Sequence, residues 1–180
     1  MSIPKLAVTL LAICLFPGCF HHQTQNAAGT DKTNNQRIAQ AHAELDLQNE
    51  VVAAAIFDNL KRSNSHHWCK VVFLHISGSP PDESLLRLLK DKLRLLNDDS
   101  IVFTDRHRMK NTRHGYVDAL TQKKGTAIYI SSIRIAKDDR MAQLTLAWLS
   151  SQMSGEELLY KLRLSDNKWI VTGHERQSQY

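Results

Sequence analysis

Residues 141–171, MAQLTLAWLSSQMSGEELLYKLRLSDNKWIV, decide the fold. Apolar side chains recur at every second position: Leu144, Leu146 and Trp148, then Tyr160, Leu162 and Leu164, then Trp169 and Val171. A period of two is the mark of a strand with one buried face. Two turns divide the stretch. A two-residue turn at Asp166-Asn167 pairs Leu164 with Trp169 and Leu162 with Val171. A loop of Met153-Ser154-Gly155, with glycine free to take the left-handed conformation, pairs Trp148 with Tyr160 and Leu146 with Leu162.

Working upstream, a turn at Asp138-Asp139 adds a fourth strand and pairs Tyr129 with Trp148 and Ile133 with Leu144. The three registers place Tyr129, Ile133, Leu144, Leu146, Trp148, Tyr160, Leu162, Leu164, Trp169 and Val171 on one face. Arg134, Thr145, Lys161, Arg163, Thr172 and His174 fall on the other. A slip of one residue would mix the two sets, so the apolar pattern itself specifies the register. The expectation is a four-stranded antiparallel meander whose apolar face is covered by helices.

Helices are available to cover it. Gln36–Arg62 carries Ile38, Ala41, Leu45, Val52, Ile56 and Leu60 at near-helical spacing, with Asn34 or Asn35 as cap and a break expected near Asn49. Trp68–Ser77 contains the β-rich run Val71–Ile76 and reads as a buried strand of the same sheet. Ser79-Pro80-Pro81-Asp82-Glu83 then opens a second helix, with Ser79 as the expected cap, and Leu85, Leu86, Leu89, Leu93 and Leu96 form its apolar stripe. The fold class is therefore α+β: two helices packed on a mainly antiparallel sheet that ends in the meander.

The chain has 180 residues, 42% of them hydrophobic and 23% charged, which suits one modest domain and argues against wholesale disorder. Lys5 followed by the apolar run Leu6–Phe16 has the form of an export signal, and the run is too short to span a bilayer core, which takes ~20 residues. Pro17-Gly18 ends it. Residues 20–35 are polar and read as a tether, which reaches ~50 Å when fully stretched. The organisation expected is a signal at 1–19, a tether at 20–35, one domain at 36–175 and a tail at 176–180. Residues 1–19 hold one lysine and no acid, so the formal charge of +5 falls to +4 without them.

Leu15-Phe16-Pro17-Gly18-Cys19 resembles a bacterial lipobox, departing from the pattern at Phe16-Pro17. The resemblance implies cleavage between Gly18 and Cys19, a lipid on the Cys19 sulfur, palmitate labelling, and a place in the cell envelope on the outer or cytoplasmic membrane. A plain secretory signal, leaving a periplasmic or secreted protein, is the alternative. Cys14 leaves with the signal, so Cys69 is left as a single thiol. The domain is then stabilised by packing and not by disulfides. The order of elements over Val51–Glu175, with Gly78-Ser79-Pro80-Pro81-Asp82 opening the helix and Lys168-Trp169-Ile170-Val171 ending the meander, is similar to small exported bacterial domains of unknown function. A second cysteine common in that set is absent here. The helix-then-sheet order also looks like the NTF2-like fold, which implies a small-ligand or hydrolytic pocket as the alternative function.

Asp105–Lys124 is the most charged stretch. Arg106, Arg108, Lys110, Arg113, Lys123 and Lys124 oppose only Asp105 and Asp118, and each basic residue near an anionic surface contributes ~1 kcal/mol. These six are the candidate anion contacts of a non-catalytic binding module whose partner is an envelope protein or an anionic polymer. A solvated loop is the plainer reading of the same residues. Export and scarce aromatics speak against nucleic acid. His66, His67, Cys69 and His75 offer zinc-type ligands, but His75 follows Cys69 by ~20 Å along an extended strand, so no metal is expected. No nucleophile elbow, zincin helix, phosphate loop or EF-hand loop is present in the sequence. No catalytic residue and no cofactor is assigned on that basis.

Overall fold

A computed structural model describes residues 28–63, 69–94, 100–136, 138 and 140–179. The expected signal, the Cys19 site, His66-His67 and Leu96 lie outside them. The elements are α1 (Ala28–Arg62), β1 (Val71–Ile76), α2 (Glu83–Arg94), β2 (Val102–Asp105), a single 3₁₀ turn (Arg106–Arg108), β3 (Met109–Thr112), β4 (Gly115–Asp118), β5 (Lys124–Ile135), β6 (Met141–Ser151), β7 (Ser154–Ser165) and β8 (Lys168–Gln179). The sheet runs β2-β1-β5-β6-β7-β8, with the β3–β4 hairpin joined to it through β5. The class is α+β, two helices on a mostly antiparallel sheet with a C-terminal meander. The β1–β2 and β1–β5 pairs are parallel.

The meander forms because the alternation seen in the sequence is satisfied across strands. Leu164 pairs with Trp169 and Leu162 with Val171, and the Asp166-Asn167 turn takes positive φ at both residues. That is the turn whose twist matches a hairpin. Ile133 pairs with Leu144 as expected, whereas Tyr129 pairs with Ala147 and not with Trp148. The β6–β7 register differs from expectation: Leu146 faces Leu158 and Leu144 faces Tyr160, with Ser151 opposite Ser154. The turn is thus shorter and earlier than Met153-Ser154-Gly155. The pairing moves by an even number of residues, so the apolar face survives. Gly155 is needed inside β7, since a Cβ there would stand 2.3 Å from the Trp148 carbonyl oxygen.

Two bulges move two side chains from their expected faces. An irregularity between Ile130 and Ser132 leaves Ser131 unpaired, so Tyr129 turns away from the helices and packs beside Val71, Phe73, Tyr116 and Ala127. Another, at Thr172, turns His174 to the helix side, opposite Tyr160, with ring centroids 5.8 Å apart. An extra residue in one strand inverts every side chain beyond it until a second correction.

The main core lies between the sheet and the two helices, and includes Ile56 and Leu60 of α1, Leu85, Leu89 and Leu93 of α2, and Leu144, Leu146, Leu158, Tyr160 and Leu162 of the meander. Full burial of each such leucine stabilises by ~1.5–3 kcal/mol. α1 continues through Asn49 without a break. Asn49 does not compete for its own backbone because its amide donates to both Asp82 oxygens, at 3.1 and 2.9 Å, and to Ser84 Oγ at 2.7 Å. Asp82, not Ser79, caps α2 by accepting from the Leu85 amide at 2.8 Å. α1 begins at Ala28, inside the expected tether, and β8 continues to Gln179, so residues 176–179 belong to the sheet and not to a tail. No helix among the described residues is long and apolar enough to cross a membrane.

Candidate functional site: a pinned basic hairpin and the cleft at its base

The stretch 105–124, read from sequence as a charged loop, is a built structure. Its strands form because Met109 and Tyr116 have an apolar surface to cover on the sheet face away from the helices. Met109 pairs with Asp118, Lys110 with Val117 and Thr112 with Gly115, while Val117 pairs in turn with Lys124 of β5. Directly opposed residues share a face. Lys110 and Lys124 therefore flank Val117 on one face, two strand spacings or about 10 Å apart.

The hairpin is pinned at both ends. At its tip Gly115 has φ +113°, and a Cβ there would approach the Ser150 carbonyl oxygen to 2.8 Å. Only glycine fits. At its base the Arg108 guanidinium donates twice to Asp118, Nε to Oδ1 at 3.0 Å and Nη2 to Oδ2 at 2.5 Å. Thr121 Oγ1 donates to Oδ2 at 2.6 Å and the Leu120 amide to Oδ1 at 3.3 Å. The Asp118 side chain is 1% exposed. Arg108 beside it, then Thr121, hold its carboxyl well below the usual carboxylate range against the opposing effect of burial.

This geometry divides the six candidate anion contacts. Arg108 is spent on Asp118, whereas Arg106, Lys110, Arg113, Lys123 and Lys124 are exposed. The two acids of the stretch are both engaged inside it, Asp118 as described and Asp105 by accepting from the His107 amide. Leu120, 75% exposed, stands on the same loop.

Asp105 also caps the 3₁₀ turn, from which Arg106, His107 and Arg108 radiate. Arg108 points to Asp118. Arg106 and His107 line a small cleft of about 130 Å³ with His75, Gly78, Pro80 and Asp105, at the C-terminal ends of β1 and β2. His75 stands edge-on to Tyr129 at 5.7 Å between centroids. Partial burial first, then the positive charge of Arg106, lower the pKa of His75, with Asp105 opposing. This convergence was not expected from sequence. The β-rich run Ile101–Thr104 was the available signal, since it forms the strand that carries residues 105–107 to His75.

Cys69 is fully buried, and its thiol donates to the Val71 carbonyl at 2.9 Å. Burial raises its pKa to about 11, which suits a packed thiol and not a nucleophile. His75 is separated from it by most of β1. Among the described residues no group of three or more His, Cys, Asp or Glu is placed to hold a metal ion.

No family model matches the chain. No curated protein and no solved structure is significantly similar to it either. The site is therefore read from its own geometry.

Proposed function

We propose that the protein is an exported, lipid-anchored cell-envelope module that binds without catalysis and holds an anionic surface through the β3–β4 hairpin. The observation that carries this reading is the Arg108–Asp118 pair. It absorbs the acid of the stretch and fixes the loop, leaving Lys110, Arg113, Lys123 and Lys124 exposed with their charge uncompensated inside the hairpin. Pinned charges lose less side-chain and loop entropy on contact than charges on a mobile loop. Exposed Leu120 adds an apolar contact beside them. Cys19 supplies the lipid attachment in this reading, with cleavage after Gly18. In the lipobox reading that lipid is a diacylglycerol, whose two chains anchor the protein, and the basic patch adds an electrostatic contact.

The alternative, a ligand or hydrolytic pocket of NTF2-like type, calls for a cavity enclosed by the curled meander. On the helix side that space is filled by Leu144, Leu146, Leu158, Tyr160 and Leu162. The larger clefts open at the surface, one of about 580 Å³ between the helices and the β7–β8 turn, another of about 860 Å³ between α1 and the end of β5.

The test is co-sedimentation of the full chain carrying Cys19→Ala, which removes the lipid site, with vesicles of phosphatidylglycerol and phosphatidylcholine. The wild-type hairpin binds the anionic vesicles and releases them as salt rises. A variant with Lys110, Arg113, Lys123 and Lys124 all changed to Glu does not bind. Absence of binding by the wild-type hairpin at low salt, or equal binding by the charge-reversed variant, overturns the reading.

A further inference from the structure

We propose that the cleft between His75, Arg106 and His107 is a binding site for a terminal phosphate group. Its position is the first reason. β1 lies between β2 and β5 and is parallel to both, so the cleft stands at the carboxyl ends of parallel strands. Residues that leave such strand ends are set by the sheet and free to converge on a ligand.

The chemistry of the lining is the second reason. One guanidinium and two imidazoles face the same small volume. Arg106 offers a planar fork of donors, and each imidazole adds an N–H donor, His75 from β1 and His107 from the 3₁₀ turn that also carries Arg106. Three donor side chains from two elements around one small volume suit the several oxygens of a phosphate better than the two of a carboxylate. The single acid of the lining, Asp105, has its carboxylate turned to the His107 amide. Partial burial, and after it the charge of Arg106, lower the pKa of His75, with Asp105 opposing.

Size limits the ligand. At ~30 Å³ per water, 130 Å³ holds about four waters. That is room for a phosphate group stripped of most of its water and not for a nucleoside. The turn Ser77-Gly78, both residues at positive φ, leaves open space at Gly78, where an added Cβ would meet nothing within 4 Å. The rest of a phosphomonoester has an exit past that turn.

The phosphate reaches the cleft either as the free ion or on a lipid headgroup, and the experiment separates the two. The full chain in neutral detergent is titrated calorimetrically with inorganic phosphate, while the ring resonances of His75 and His107 are followed by NMR. Saturable binding at millimolar phosphate or below, with both imidazoles shifting together, is expected. Arg106→Gln weakens it at least tenfold and His75→Gln severalfold, whereas Lys110→Gln and Lys124→Gln leave it unchanged. Vesicles containing phosphatidic acid compete with inorganic phosphate if the headgroup is the source; free phosphate alone binds if it is not. No saturation, no shift of the two imidazoles in the wild-type protein, or equal weakening by the Lys110 and Lys124 variants overturns the proposal. The claim does not rest on the membrane contact proposed above: phosphate binding that needs Arg106 stands even where the hairpin lysines bind no vesicle, and the reverse result is equally distinct.

Discussion

Arg108 and Asp118, ten residues apart in sequence, close the base of the β3–β4 hairpin through two parallel hydrogen bonds between a half-exposed guanidinium and a carboxylate that is 1% exposed. A fork-to-fork pair of this kind adds geometry as well as attraction. It converts the most charged stretch of the chain from a loop into a fixed surface.

The pair makes stability depend on acid. Asp118 is held well below its ordinary value of 3.8, first by Arg108 and then by Thr121. Asp82 is also lowered, with the Leu85 amide and the Asn49 and Ser84 side chains outweighing burial. A depressed carboxyl contributes stability above its unfolded-state pKa and loses it as pH falls toward the folded-state pKa. The urea midpoint is therefore expected to fall steadily below about pH 4–5. Asp118→Asn, whose amide does not titrate, flattens that slope, and Arg108→Ala lowers the melting temperature more than Arg113→Ala does. An Asp118→Asn protein with the wild-type acid slope would contradict this.

Cys69 gives an alkaline counterpart. Burial raises its thiol from 9.0 to about 11. A raised folded-state pKa stabilises fully below the unfolded value and is lost as pH rises through the folded one. Stability contributed by Cys69 should vanish between about pH 9 and 11, so Cys69→Ala should show a shallower decline across that range than the wild-type chain. At neutral pH a disulfide reagent should label the native thiol slowly and the urea-unfolded thiol at once. Rapid labelling of the native state would show that the thiol is not sealed in the core.

Tyr160 links the sheet to α1. It is fully buried, and Asn59 Nδ2 donates to its hydroxyl at 3.3 Å, with Arg62 also engaging it. Tyr160→Phe keeps the ring and removes the acceptor, leaving the buried Asn59 amide unpaired at a cost of ~1–3 kcal/mol. Leu146→Ala, at the centre of the meander, should cost ~2–5 kcal/mol through lost burial and a cavity. Both are read from denaturant midpoints. A neutral Tyr160→Phe would mean that the Asn59 contact has no energetic weight.

Lipid anchoring has its own test. Cys19→Ala should abolish metabolic labelling by palmitate. It should also release the protein from membranes at high salt, where a basic patch is screened. Labelling that persists in the variant would refute attachment at Cys19.

The meander was legible because alternation is redundant: Leu164–Trp169, Leu162–Val171 and Ile133–Leu144 pair as the apolar pattern demands. What was not legible depends on single residues with no pattern of their own. Ser131 and Thr172 are ordinary strand residues in the sequence, yet as bulges they turn Tyr129 and His174 to unexpected faces. The cleft was hidden for a different reason. His75 and His107 are brought together by parallel β1–β2 pairing, and a non-local parallel contact leaves no local trace in sequence. The basic residues were visible as composition, but which of them is spent internally required the position of Asp118.

The Ser131 bulge also bears on how this chain tolerates change in length. Ile130 pairs with Leu146 and Ser132 with Thr145, so Ser131 is the surplus residue between two intact registers. Deleting it would leave every pair on either side in place and every side chain on its present face, at the expense of the local bend. Deleting Ile128 or Ile133 instead would turn a run of buried side chains to solvent. Within β5, Ser131 is thus the position where a codon can be lost without inverting the strand, and homologous chains differing by one residue are expected to differ there.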